Sequence, residues 1–152
     1  MELPTRPQLI AAVRMWGPLC TEDHPLLALA QDLMLQHTYR TTTTNPLALC
    51  QISEQRKAVI REIDAWVHQA VPMVRQARLH TETIGAIIDR LAWISSLIDT
   101  SPGSGHPCEL EYLWNSLDEL LLGYEHLSED VLSGVRRLPG TSTQPGVFTS
   151  GT

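Results

Sequence analysis

Apolar residues return at steps of three and four along most of the chain, the period of an amphipathic helix, and little in the pattern suggests strands. A short first helix is expected from Pro7 to Trp16, with Thr5 or Arg6 near its cap and Gly17-Pro18 ending it. The second runs from about Pro25 to Tyr39, with Leu26, Leu29, Ala30, Leu33 and His37 on its apolar side. The threonines of "RTTTTNP" break the pattern, and Asn45-Pro46 signals a new start. A long third helix, about Pro46 to Val71, gathers Ile52, Val59, Ile63, Trp66 and Val67 in one arc, with Arg56 inside it. Pro72 ends or kinks this helix. Thr81 is the expected cap of a fourth helix, with Glu82 in its first turn. The last stretch, about Pro107 to Leu138, repeats Leu110, Leu113, Leu117, Leu120, Tyr124, Leu127 and Val131 as a heptad seam that Gly123 or Ser128 bends or splits.

These elements predict an all-α fold: an antiparallel bundle of four principal helices with the short N-terminal helix laid across it. Residues 1–138 form the expected single helical domain, and residues 139–152, which have little to bury, a flexible tail. The leucine seam offers more apolar face than one chain readily covers, so a homodimer is expected.

The segment "LHTETIGAIIDRLAWISSLID" has the sharpest pattern. Ile84, Ile87, Ile88, Leu91, Ile94 and Ile98 make a broad core face, while Glu82, Gly85, Ala86, Asp89 and Trp93 fall opposite. Glycine in mid-helix costs about 1 kcal/mol relative to alanine, so a notch between two carboxylates predicts that another backbone or a ligand covers that face.

Charge and cysteine content narrow the function classes. A net charge of −6 and the lack of a basic run argue against nucleic acid as a partner. Three scattered cysteines, Cys20, Cys50 and Cys108, form neither a disulfide framework nor a zinc site. The N-terminal segment is not built like a signal peptide, and no apolar stretch is long enough to span a bilayer, so a cytoplasmic protein without a membrane partner is expected. Eight acids and no lysine or arginine lie between Asp99 and Asp130, whereas Arg56, Lys57, Arg61, Arg75 and Arg78 cluster upstream; the two regions are positioned to attract one another.

The order "HTETxGxxxDRL" from His80 to Leu91, preceded by "QRKAVIREID" from Gln55 to Asp64, resembles the bacterial family catalogued as domain of unknown function 4254. Thr81, Glu82, Asp89, Arg90 and Leu91 match the second motif of that family. Arg56, Ile63 and Asp64 match the first, and His37 matches a histidine ending the preceding helix. Where family members often place an acidic pair after that histidine, this chain has Thr38, Tyr39 and Arg40. The resemblance implies a helical fold and a shared polar cluster, without an established reaction.

The candidate cluster is therefore His37, Arg56, Asp64, Thr81, Glu82, Asp89 and Arg90. The leading reading is an interaction or scaffold module in which Arg56 pairs with Glu82 or Asp89 near His37. On that reading the cluster needs no metal or cofactor, and a buried Arg56 replaced by methionine loses about 3 kcal/mol by leaving an acid unpaired. The alternative is a metal-assisted hydrolase acting on a phosphorylated small molecule, with Glu82 and Asp89 on a divalent cation and Arg56 and Arg90 on phosphate oxygens. Carboxylates two turns apart do not share one metal directly, so that reading needs further ligands from Glu62, Asp64 or His37. An open pocket favours a small-molecule ligand; a closed interior favours the scaffold.

Overall fold

Thr5 starts the first helix by a reciprocal cap: its hydroxyl accepts from the Gln8 backbone N–H, and the Gln8 side chain accepts from the Thr5 N–H. The structure is a computed structural model that describes residues 2–16, 24–101 and 107–140. Helix α1 spans Arg6–Arg14 and closes at Met15, which takes the left-handed conformation (φ 56°), two residues short of the expected Gly17-Pro18 stop. Gly17, Pro18 and Cys20 lie outside the described residues, as does the stretch 141–152 that makes up most of the expected tail.

Helix α2 covers Pro25–Thr42, capped by the His24 ring, which accepts from the Leu26 N–H. It runs past Tyr39 because Thr41 and Thr42 turn their hydroxyls back onto the carbonyls of Thr38 and Tyr39, so threonines read as breakers instead finish the helix. Helix α3, Pro46–Ala70, starts at Asn45 as the sequence indicates, the Asn45 side chain accepting from the Leu47 N–H. Helix α4 spans Ile84–Thr100, and its cap is Thr83, whose hydroxyl accepts from the Ala86 N–H. This corrects the expectation of Thr81: Glu82 lies in the approach to the helix and not in its first turn. Helix α5, Pro107–Leu132, is continuous through Gly123 and Ser128, so neither residue splits it. It ends before Leu138 because Gly134 turns the chain with φ 79°, leading into Arg136-Arg137, which pair in parallel with Arg78-Leu79.

The fold is thus all-α, with helix α4 at its centre in contact with α1, α2, α3 and α5. Ile84, Ile88 and Leu91 of α4 are completely buried among Leu9 and Val13 of α1, Leu26 and Leu33 of α2, Ile63 of α3 and Leu117 of α5. Each such side chain withdrawn from water contributes about 1.5–3 kcal/mol. Tyr124 of α5 is also buried; its hydroxyl donates to the Pro4 carbonyl at 2.7 Å and holds the N-terminal segment on the bundle. Burial pushes that hydroxyl's pKa above its ordinary value. Much of the α5 seam is used within the chain, since Leu117, Tyr124, Leu127 and Val131 are buried; Leu110 and Tyr112 at its start remain exposed. Among the described residues no helix is long and apolar enough to cross a membrane.

Candidate functional site

Three helices converge on one carboxylate. His37 and Arg40, three residues apart on α2, share a face; Arg56 comes from the first half of α3; Asp89 and Arg90 come from α4. His37 is buried, and its Nε2 lies 2.8 Å from Asp89 Oδ1. Arg56 approaches the same oxygen with Nε at 3.8 Å, too far for a hydrogen bond. Arg56 Nε is buried from water and has no hydrogen-bond partner. The Arg56 side chain as a whole is 24% exposed, and that of Asp89 18%.

These groups line a cleft of about 440 Å³ open to solvent, walled by His37, Arg40, Arg56, Asp89, Arg90 and Trp93. A smaller hollow of about 160 Å³ adjoins it between α2 and α3, and His37, Arg40 and Arg56 border both. Arginine keeps its charge at any ordinary pH, so three guanidinium groups face the cleft against the single carboxylate of Asp89. Glu82 lies away from the cleft lining and pairs with Arg90 from outside, through Arg90 Nη1 and Glu82 Oε1.

Asp64 and Thr81 lie outside the cleft, and Asp64 serves the fold instead. Asp64 is buried, and its carboxylate accepts from the Gly85 N–H at 2.8 Å, adding an anionic cap from α3 to the start of α4. Gly85 therefore packs against the backbone of α3, so the notch is covered by another helix, one of the two occupants its pattern predicts. A Cβ there would sit 2.7 Å from both Asp64 Oδ1 and the Ile60 carbonyl oxygen. Thr81 is exposed in the approach to α4, outside the cleft.

Burial raises the Asp64 pKa above its ordinary 3.8, while the hydrogen bonds from Gly85 and Thr83 and the charge of His68 pull it down. A raised folded-state value means that the folded protein holds this proton more tightly than the unfolded chain. The resulting stabilisation is complete below the ordinary value and is lost as pH rises through the folded one. Measured against Asp64→Asn, which cannot titrate, the wild type is expected to lose relative stability between about pH 4 and neutrality, the window that opens at the ordinary carboxyl value. Urea midpoints of both proteins at the two ends of that window check this, and parallel pH profiles count against it.

The approach of Arg56 to Asp89 is looser than a buried arginine requires. Because Arg56 is partly hydrated and Asp89 keeps its hydrogen bond to His37, the 3 kcal/mol loss expected for Arg56→Met is corrected to less than about 1 kcal/mol. Arg40 and Trp93 enter the cleft without having been picked out as site residues. The spacing of His37 and Arg40 was a usable signal for Arg40, masked by ending α2 at Tyr39. The acidic stretch of α5 and the basic stretch of α3 form no ion pair with each other among the described residues; Asp99 pairs with Arg14, and Asp130 with Arg136.

Residues 48–99 match the family model described as Protein of unknown function (DUF4254). Over this segment the chain is similar to that family. The segment covers about a third of the chain, most of α3 and nearly all of α4, and contains Arg56, Asp64, Thr81, Glu82, Asp89 and Arg90. His37 and Arg40 stand outside it, so the matched segment supplies two walls of the cleft and α2 the third. No curated protein and no solved structure matches the chain.

Proposed function

We propose that this protein is a helical binding module whose cleft between α2, α3 and α4 takes a small anion, most simply a phosphate or phosphomonoester. The observation that carries this reading is the convergence of Arg40, Arg56 and Arg90 on one cleft that is open to solvent and holds the single carboxylate of Asp89. Arg40, which makes no ion pair among the described residues, and Arg90 bring two further donors to the same cleft. Arginine is suited to phosphate because its planar fork donates two parallel hydrogen bonds. Asp89, held by His37, gives Arg56 a fixed counter-charge that restrains it while the cleft is empty.

The open cleft favours ligand binding over a closed ion-pair network. The reading assigns binding and names no reaction. A cytoplasmic location accords with Cys50 and Cys108, which are exposed and free. Calorimetric titration with inorganic phosphate and with ribose 5-phosphate tests the reading. Binding is expected for the wild type and is expected to weaken at least ~10-fold in Arg56→Met, the loss of one charge-assisted contact. An unchanged unfolding midpoint in the variant separates this from misfolding. Wild-type protein that binds neither anion at low millimolar concentration overturns the proposal.

A further inference from the structure

The anion cleft does not end at Arg90. A second cleft of about 560 Å³ runs on between α4 and α5, and Arg90, Trp93 and Leu97 line both. Its walls change character: Leu113 and Leu120 supply apolar sides, while Ser116 and Glu119 of α5 add one hydroxyl and one carboxylate. Trp93 stands at the junction with 48% of its surface exposed, although it belongs to the central helix of the fold. An indole left half bare between a cationic pocket and an apolar one is a stacking platform placed beside a phosphate site.

Resting on the anion-binding reading, we propose that the ligand is a nucleotide: its phosphate lies among Arg40, Arg56 and Arg90, and its base stacks on Trp93 in the α4–α5 cleft. A simple alkyl phosphate would use the apolar walls but would leave Ser116 and Glu119 facing hydrocarbon. A heteroaromatic base offers ring N–H and amino donors to Glu119 and acceptors to Ser116. A free inorganic anion would use neither the indole nor the second cleft. Recognition of single bases by an aromatic face and an edge of polar groups tolerates exposure, because each base presents a π-face whatever its identity.

The test compares inorganic phosphate, ribose 5-phosphate, adenosine monophosphate, uridine monophosphate and decyl phosphate as titrants of the full chain. At least one nucleotide is expected to bind about tenfold or more tightly than ribose 5-phosphate, the gain that one stacked base supplies. In Trp93→Ala that nucleotide is expected to bind within a factor of two or so of ribose 5-phosphate measured on the same variant. The comparison among wild-type ligands needs no variant, so it stands even if Trp93→Ala folds poorly. Nucleotides no tighter than ribose 5-phosphate overturn this inference and leave the anion site intact. A gain for decyl phosphate alone overturns it in favour of an acyl-bearing ligand. Failure of every phosphate to bind removes the anion site as well.

Discussion

Gly85→Ala is expected to destabilise the protein by about 2 kcal/mol, whereas Gly123→Ala is expected to stabilise it by up to about 1 kcal/mol. Both glycines sit inside helices, and alanine is the better helix former at each. The difference is what the new methyl group meets. At Gly123 nothing lies within 4 Å of an added Cβ, so only the gain in helix propensity remains. At Gly85 the Cβ would meet the carboxylate of Asp64, the Ile60 carbonyl at 2.7 Å and an Ile60 methyl at 3.0 Å. Two of those atoms cannot retreat cheaply. The Ile60 carbonyl belongs to α3 backbone, and Asp64 is held by the very Gly85 N–H that the methyl would crowd. Helix α4 must therefore back away from α3, lengthening the Asp64 cap and loosening the core around Ile63 and Ile84. Overpacking of this kind costs about 1–3 kcal/mol, enough to outweigh the propensity gain. Chemical denaturation of the two variants checks the opposite signs, and a Gly85→Ala protein as stable as the wild type would mean that α3 and α4 are farther apart than the structure places them.

The same glycine marks where the sequence was legible and where it was not. Period alone located the helices, because burial of one stripe per helix forces apolar residues into steps of three and four. Thr5 and Asn45 were readable caps, since each stands just before a helical run and its cap is completed by residues two or three positions on. Thr83 was not, because Thr81 offers the same hydroxyl two residues earlier. What distinguishes them is Asp64, nineteen positions before Thr83, which reaches the start of α4 from another helix. The glycine in the face of α4 that carries Gly85 and Asp89 predicts a cover of backbone or ligand, and at Gly85 the cover is the α3 backbone. Helix α4 is packed by neighbours on most sides, and its buried residues include Gly85, Ala92, Ser95 and Ser96. A stretch with three isoleucines, glycine and alanine in its first five residues was itself a sign of a central helix. His37, Arg56 and Asp89 were recognisable as a polar set from their motifs. That they face an open cleft depends on the angle between three helices, which no residue spacing encodes.

The charge that must be satisfied inside this fold is carried by Arg14, for which the sequence held no motif. Its side chain is 10% exposed against 24% for Arg56. Arg14 ends α1, and its Nη1 donates to both the carbonyl and the hydroxyl of Ser95 at 3.0 Å, while Nη2 donates to Asp99 at 2.7 Å. Its guanidinium also lies over the Trp114 ring, 4.9 Å from the centroid. The short helix α1 is thereby fastened to α4 and α5 at once, and the Ser95 hydroxyl strengthens the joint by donating to the Val13 carbonyl. Arg14→Met keeps much of the apolar stem but removes the charged hydrogen bonds, worth about 1.5–3 kcal/mol, and a cation–π contact worth about 0.5–1 kcal/mol. Asp99 is 43% exposed and can recover water, so the loss stays below the full cost of stranding a buried acid. The net expectation is a destabilisation of about 2 kcal/mol. Asp99→Asn alone is expected to cost less than about 1 kcal/mol, since it touches only the half-exposed end of the network. Hydrogen exchange adds a local readout: amides of Leu9 through Val13 should lose protection in Arg14→Met well before those of α3. Arg14→Met that matches the wild type in both unfolding midpoint and α1 protection would sink the idea, because α1 would then be held by Leu9, Ala12 and Val13 without help from its arginine.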